Sequence, residues 1–207
     1  MRKLLIFLLA LALLAGCSSD PKPEAAKPET AKTEPKKPEN DFESGRAAFQ
    51  RMYVSARGWA ADVQPVRLES RPTKQDPKDG RAAVWAATFV SASRQNIRTY
   101  TWSGIEGDEK GVTPGNADYY SPANASTRPF DLNFLKMDST QALETAQKKG
   151  GEAILKKEPE TPLKYMLFFD QTKGRLLWRV VYGGSVSDSK LRILVNATTG
   201  EFVAKEK

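Results

Sequence analysis

A switch of hydrophobic period from helix-like to two, made twice along the chain at matched spacing, is the feature that most restricts what these 207 residues can form. Phe49, Met52, Tyr53 and Ala56 recur at helical intervals; Asn40 or Asp41 is placed to cap a helix beginning near Phe42, and Gly58 after Arg57 offers a left-handed stop. Period two follows. Val63, Val66 and Leu68 predict a short strand, and Ala83 to Val90 a second, with Trp85, Ala87 and Phe89 on one face. Ile97 to Trp102 predicts a third, with Tyr100 and Trp102 on the same side. Then the order restarts. Ser139 caps a helix through Ala142, Leu143 and Ala146 with Gly150 near its end, and Ala153, Ile154 and Leu155 add a turn before Pro159. Tyr165 to Phe169 reads as an apolar strand and Asp170 to Gly174 as a turn; Leu176, Trp178, Val180 and Tyr182 then alternate. Leu191, Ile193 and Val195 line the next strand, and Asn196 to Gly200 turns into a last one at Glu201 to Val203.

The two halves keep step. Gly58 precedes Trp85 by 27 residues and Gly150 precedes Trp178 by 28, and each tryptophan lies 13 before the next strand pattern, at Arg98 and Leu191. The expected fold class is α+β: two units, 41–129 and 130–207, each a helix packed on an antiparallel sheet and related as a duplication. Within the first unit, residues 103–129 hold many Gly, Pro, Asn and Ser and read as a long irregular loop.

The chain begins differently. Arg2 and Lys3 precede an unbroken apolar run from Leu4 to Ala15, too short for a membrane span, which takes roughly 20 apolar residues. Small residues then lead to a cysteine. The quartet Leu14-Ala15-Gly16-Cys17 resembles the lipobox of bacterial lipoproteins. That resemblance implies a signal peptide over 1–16, cleavage before Cys17, and diacylglycerol and acyl chains on Cys17, enough lipid to anchor stably to a membrane. Ser18 follows the cysteine where an aspartate would oppose outer-membrane delivery, so in a Gram-negative cell the expected place is the outer membrane facing the periplasm. Residues 17–40 form the tether. After Cys17 they are Pro, Lys, Glu and Ala with no large apolar residue, a composition that stays disordered and partly polyproline II. At ~3.1 Å per residue the tether reaches up to about 70 Å.

Composition removes several chemistries. The chain has no histidine, and its one cysteine is committed to lipid. Imidazole bases, thiol nucleophiles, disulfides and His or Cys metal sites are therefore unavailable, and no cofactor or metal is expected. The 32 Lys and Arg against 25 Asp and Glu give +7 overall. The signal peptide removes two of the cations, and the tether balances five against five, leaving 25 against 20 in the folded part. Nucleic acid is not an expected partner in this compartment.

From about Asp138 to Val203 the chain resembles a PepSY-type domain of the cystatin-like kind. The resemblance rests on Asp138-Ser139 with Ala142 and Ala146, on Trp178-Arg179-Val180, and on the ending Val195-Asn196-Ala197-Thr198-Thr199-Gly200-Glu201. Asn196 stands where that ending usually has aspartate, which removes a charge but keeps the turn's hydrogen-bonding capacity. Over 42–103 the likeness is in the order of elements alone. The resemblance implies an extracytoplasmic binding or regulatory module with no catalytic residues, as proposed for such domains in peptidase propeptides.

Three local clusters carry polar or reactive groups. Glu106, Asp108 and Glu109 among Gly104, Gly107 and Gly111 have carboxylates but no metal-loop spacing, and read as a solvated turn. Ser185, Ser187 and Ser189 before Lys190 read as a polar connection rather than an activated serine. Tyr119 and Tyr120, set among small polar residues with Asn116 and Asp118, are either a recognition surface or the means by which the loop packs onto the sheet, and they are the candidate binding residues. The expected function is a non-enzymatic module that binds an envelope protein or peptide through the 103–129 segment and a sheet face. The alternative is a structural or assembly accessory of the envelope.

Overall fold

The computed structural model describes residues 39–107 and 109–206. The expected signal peptide, Cys17, the tether up to residue 38, and Asp108 of the acidic turn lie outside the described residues. Helix α1 (Gly45–Trp59) buries Ala48, Phe49, Met52 and Ala56 along one stripe. Its cap is Ser44, whose Oγ accepts from Ala47 N, rather than Asn40 or Asp41. Those two are occupied at a neighbouring corner. Asp41 N donates to Gly104 O, and Asn40 Oδ1 accepts from Glu106 N. Between them and the helix, β1 (Glu43–Ser44) pairs with β3 (Arg81–Ala82), which delays the helix start. Gly58 does not stop the helix either. The helix continues to Trp59, which packs beneath the guanidinium groups of Arg94 and Arg98 at 6.0 and 5.8 Å, and ends in the extended backbone of Ala60. Just beyond, Asp62 accepts from Ser91 Oγ at 2.6 Å and Ser93 N at 2.9 Å, bonds that hold its carboxyl down at about 2.

All the longer strands form one antiparallel sheet. In spatial order it runs β10 (Phe202–Glu206), β9 (Ser189–Asn196), β8 (Arg175–Gly183), β7 (Leu163–Asp170), β2 (Gln64–Ser70), β4 (Val84–Ser91), β5 (Asn96–Ser103) and β6 (Gly111–Tyr119). The expected α+β class is present, with helices packed on antiparallel strands. The two expected units, however, do not carry separate sheets. Strands β2 and β7 pair at Arg67↔Phe168, Leu68↔Leu167 and Glu69↔Met166, joining both halves into one sheet over one continuous core. The reading of 103–129 as an irregular loop is also corrected. Nine of its residues are β6, paired with β5 from Asn96↔Tyr119 to Ser103↔Gly111. An edge strand needs no apolar face, and Pro114 and Gly115 sit at the register shift beside β5, so neither alternation nor propensity marks it.

Helix α2 (Ser139–Ala146) is capped by Asp138, with Gln141 completing a capping box; Ser139, the expected cap, is its first residue. A wide turn follows (Gln147–Gly151), broken at Gly150 with φ +116°, before α3 (Glu152–Lys157). Gly151 is required there because a Cβ would overlap Tyr182 Oη.

The N-termini of α1 and α2 meet over the middle of the sheet. Trp85 Nε1 donates to Glu43 O at 3.0 Å and Trp178 Nε1 to Met137 O at 2.9 Å. Each indole thus bonds the residue just before the helix cap of its own half. The two rings pack edge to face, 6.4 Å apart. Asp138 accepts from Ser139 N at 2.6 Å, and also from Ser44 Oγ at 2.6 Å and Arg46 N at 2.9 Å. One carboxylate therefore serves the positive ends of both helices, where an anion is stabilising. Gly45 N donates to Ser139 Oγ at 2.8 Å, and a Cβ on Gly45 would stand 2.6 Å from Trp178 Cη2 and 3.1 Å from Trp85 Cη2. Gly45→Ala should cost about 1–3 kcal/mol by forcing the two indoles apart. Urea denaturation should show a lowered midpoint at unchanged slope, and a midpoint equal to the parent's would contradict this packing.

Candidate functional site

Both α1 and α2 lie on the same face of the sheet. That face carries Trp85, Phe89, Tyr165, Trp178, Tyr182 and Ile193, all at most 1% exposed. By alternation the opposite face takes Arg67 and Glu69 from β2, Lys164, Met166, Phe168 and Asp170 from β7, and Arg175, Leu177, Arg179 and Val181 from β8. Arg192 from β9 and Glu206 from β10 complete it. No α-helix among the described residues packs on this face. Val181 is nevertheless fully buried, set opposite Lys164 and Arg192, whose aliphatic stems can cover it while the charged ends stay in water.

The 120–129 segment curls onto the same face near the junction of β2 and β7. Tyr120 packs with Val66, Val90 and Ile97 as a second small core. Gln171 Nε2 donates to Ala125 O, and Phe130 N to Pro65 O at 2.9 Å, fixing the segment's far end. Between it and the strands lies a groove of about 310 Å³, floored by Val66, Met166 and Phe168 and flanked by Arg67, Arg128 and Arg179. No carboxylate lines it.

The three arginines differ. Arg179 lies 4.4 Å over the Phe168 ring and donates from Nε and Nη2 to the two oxygens of Glu206 at 2.6 and 2.7 Å, a two-point ion pair. Arg192 shares Glu206 at 3.7 Å. Arg67 and Arg128 are exposed, and among the described residues neither has a carboxylate partner. The register explains Arg67. An antiparallel pair is locally two-fold, and about Glu69↔Met166 the place of Arg67 on β2 corresponds to that of Lys164 on β7. Lys164 reaches Glu69 at 3.1 Å; the corresponding neighbour of Arg67 is Met166, which carries no charge.

The residues singled out from sequence scatter. Asn116, Asp118 and Tyr119 are exposed on β6, Tyr119 at 70%, with its N–H on Asp118 Oδ1. Tyr120 is turned into the second core and 6% exposed, so it cannot join them as a surface. Glu106 pairs with Lys110 at 2.8 Å in a solvated turn. Ser185 and Ser187 bond each other, Asp188 N donates to Ser185 Oγ and Ser189 Oγ to Val186 O, while Lys190 pairs with Glu158. Asn196 Oδ1 accepts from Thr198 N at 2.8 Å and Thr199 N at 3.2 Å, closing the turn that Gly200 (φ +78°) completes. Tyr165 and Tyr182 bury their hydroxyls, and loss of water pushes both above the usual phenol range, away from acid–base work. Arg67 and Arg128 escaped the sequence reading. Arg67 alternates in a strand like any solvent-facing residue, and what surrounds it comes from the other half of the chain.

A larger recess of about 520 Å³ lies at the opposite end of β2 and β7, beside Lys74, Lys78 and Glu160, but Lys78 Nζ is already bound to Thr161 O at 2.9 Å. Among the described residues no group of His, Cys, Asp and Glu is placed to hold a metal ion, and no helix is long and apolar enough to cross a membrane.

Comparison with known proteins bears on both ends of the chain. The family model for the prokaryotic membrane lipoprotein lipid attachment site matches residues 1–18. No curated protein sequence matches the chain. A solved structure described as a "putative lipoprotein" of Clostridium difficile 630 is similar in fold, with a TM-score of 0.53 at 16% identity, covering 81% of this chain and 95% of that one.

The contrast between the arginines sets a test. Arg67→Ala should leave stability within about 0.5 kcal/mol of the parent, as for an exposed side chain without partners. Arg179→Ala should lose about 1–2 kcal/mol, because it frees Glu206 and uncovers Phe168. Thermal or urea denaturation of the two variants distinguishes them. Equal losses would mean that Arg67 serves the fold.

Proposed function

We propose that this membrane-anchored bacterial lipoprotein is a non-catalytic binding module of the cell envelope, holding a protein or peptide partner on the open face of its sheet. One observation carries the reading. Both long helices pack on one face, and the groove on the other combines apolar floor, backbone wall and free hydrogen-bond donors with no base or nucleophile placed for chemistry. The lipid attachment site at the N-terminus keeps such a module at the membrane.

The finer readings follow from it. The two halves are a duplicated pair of PepSY-like units. Supporting this, each half runs helix and then four strands of the sheet, and each tryptophan caps its own helix entry in the same way. In a Gram-negative cell, Ser18 after the lipidated cysteine favours outer-membrane delivery facing the periplasm.

Deleting 103–129 would remove β6 and the second core along with any contact surface, so a point probe is the better test. A photocrosslinking residue at Ser126 on the groove wall should give one defined protein adduct in living cells. The same residue at Val54, 62% exposed on the outer side of α1, should not. Equal adducts from both positions, or adducts from Val54 alone, would contradict the assignment.

A further inference from the structure

Resting on that binding reading, we infer that the partner is an acidic, extended polypeptide segment, with its carboxylates on Arg67 and Arg128 and its apolar side chains on Met166 and Phe168. The first argument is charge. On the open face of β2 and β7–β10 with the 120–129 segment, six cations (Arg67, Arg128, Lys164, Arg175, Arg179, Arg192) meet three carboxylates, Glu69, Asp170 and Glu206; of the other cations on these strands, Lys205 lies opposite Ile193 on the helical side and Lys190 is paired with Glu158. Each of those carboxylates already has a cation within 4.0 Å. The surplus is concentrated on Arg67 and Arg128, which flank the groove and have no carboxylate partner among the described residues. A guanidinium matches a carboxylate in a planar two-point contact, which is how Arg179 on β8 already engages Glu206 on β10.

The second argument is shape. The groove is recessed between the backbone at 125–128 and the sheet, and its floor is apolar. A flat lipid headgroup layer cannot enter it, whereas one extended chain with carboxylates on one side and apolar residues on the other can. Arg179 does not need to be released for this, since its pairing with Glu206 and its position over Phe168 fix the floor's edge. Long-range attraction from the face would also speed encounter and make it salt-sensitive.

The test uses the lipidated mature chain in nonionic detergent and a fluorescein-labelled decapeptide of alternating Glu and Val, followed by fluorescence anisotropy. Its Gln-Val counterpart and fluorescein-labelled glycerophosphoglycerol, the soluble headgroup of phosphatidylglycerol, are the comparison probes. The expected result is binding of the Glu-Val peptide that weakens at least tenfold in the Gln-Val peptide, at least tenfold in the Arg67→Ala/Arg128→Ala variant, and several-fold between 50 and 300 mM salt. Arg67→Lys should retain part of the affinity, since charge stays but the two-point contact goes. Equal affinity of parent and double variant, at equal thermal stability, would overturn the site. Headgroup binding that the double variant loses, with no peptide binding, would overturn the acidic segment in favour of anionic lipid. If the Gln-Val peptide binds as tightly as the Glu-Val one, the acidic class is overturned while the binding-module reading stands. If neither peptide binds and Ser126 crosslinks to nothing in cells, the binding-module reading falls with it.

Discussion

The shared helix entry over the paired indoles governs this structure. Two helix N-termini present unsatisfied N–H groups and positive dipole ends in the same small space, a repulsive arrangement unless an anion sits between them. Asp138 is that anion, bonded to both helices, and the indoles of Trp85 and Trp178 take the carbonyls that lead into each. Because Gly45 lies against both rings, the helices cannot draw back from the junction without opening the core. Local capping chemistry and long-range packing are thus one constraint.

Much of the remaining architecture follows. With both helices held at the centre of one face, β2 and β7 are brought side by side and the two four-strand sets become a single eight-stranded sheet. The helical face is used up by the core. The other face is left to charged residues whose stems cover the apolar positions between them, and to the 120–129 segment that folds onto it. Where the two halves meet imperfectly, Met166 on β7 takes the place that Glu69 holds on β2, and Arg67 has no carboxylate partner among the described residues beside an apolar floor. The lipid attachment site at the start of the chain confines such a body to a membrane surface.

The core elements were legible in the sequence because burial imposes a period. Trp85, Ala87 and Phe89, like Leu176 to Tyr182, must alternate to face the helices, and they do. What was not legible depends on partners far away in the chain. The cap of α2 is Asp138 rather than Ser139; the local spacing of Asp138 and Gln141 offers that capping box, but no local motif reveals that the same carboxylate also serves α1. Strand β6 went unseen because an edge strand exposed to water has no reason to alternate. Tyr120 differs from Tyr119 only in which side of the sheet's edge it reaches, a fact set by the pairing of Asn96 with Tyr119. Arg67 and Arg128 become a pair only after the sheet has formed, since one lies on β2 and the other on the segment that closes over it.

The claim on which the rest turns is that the two halves are one body locked at the helix junction, so that the open face is a single rigid surface. Native-state hydrogen exchange at increasing urea measures this directly, by comparing the slowest amides of β4 with those of β8. The account predicts one opening free energy and one urea dependence for both sets, equal to those of global unfolding. An opening that exposes β4 while β8 stays protected, or the reverse, would show two independently stable halves and contradict it.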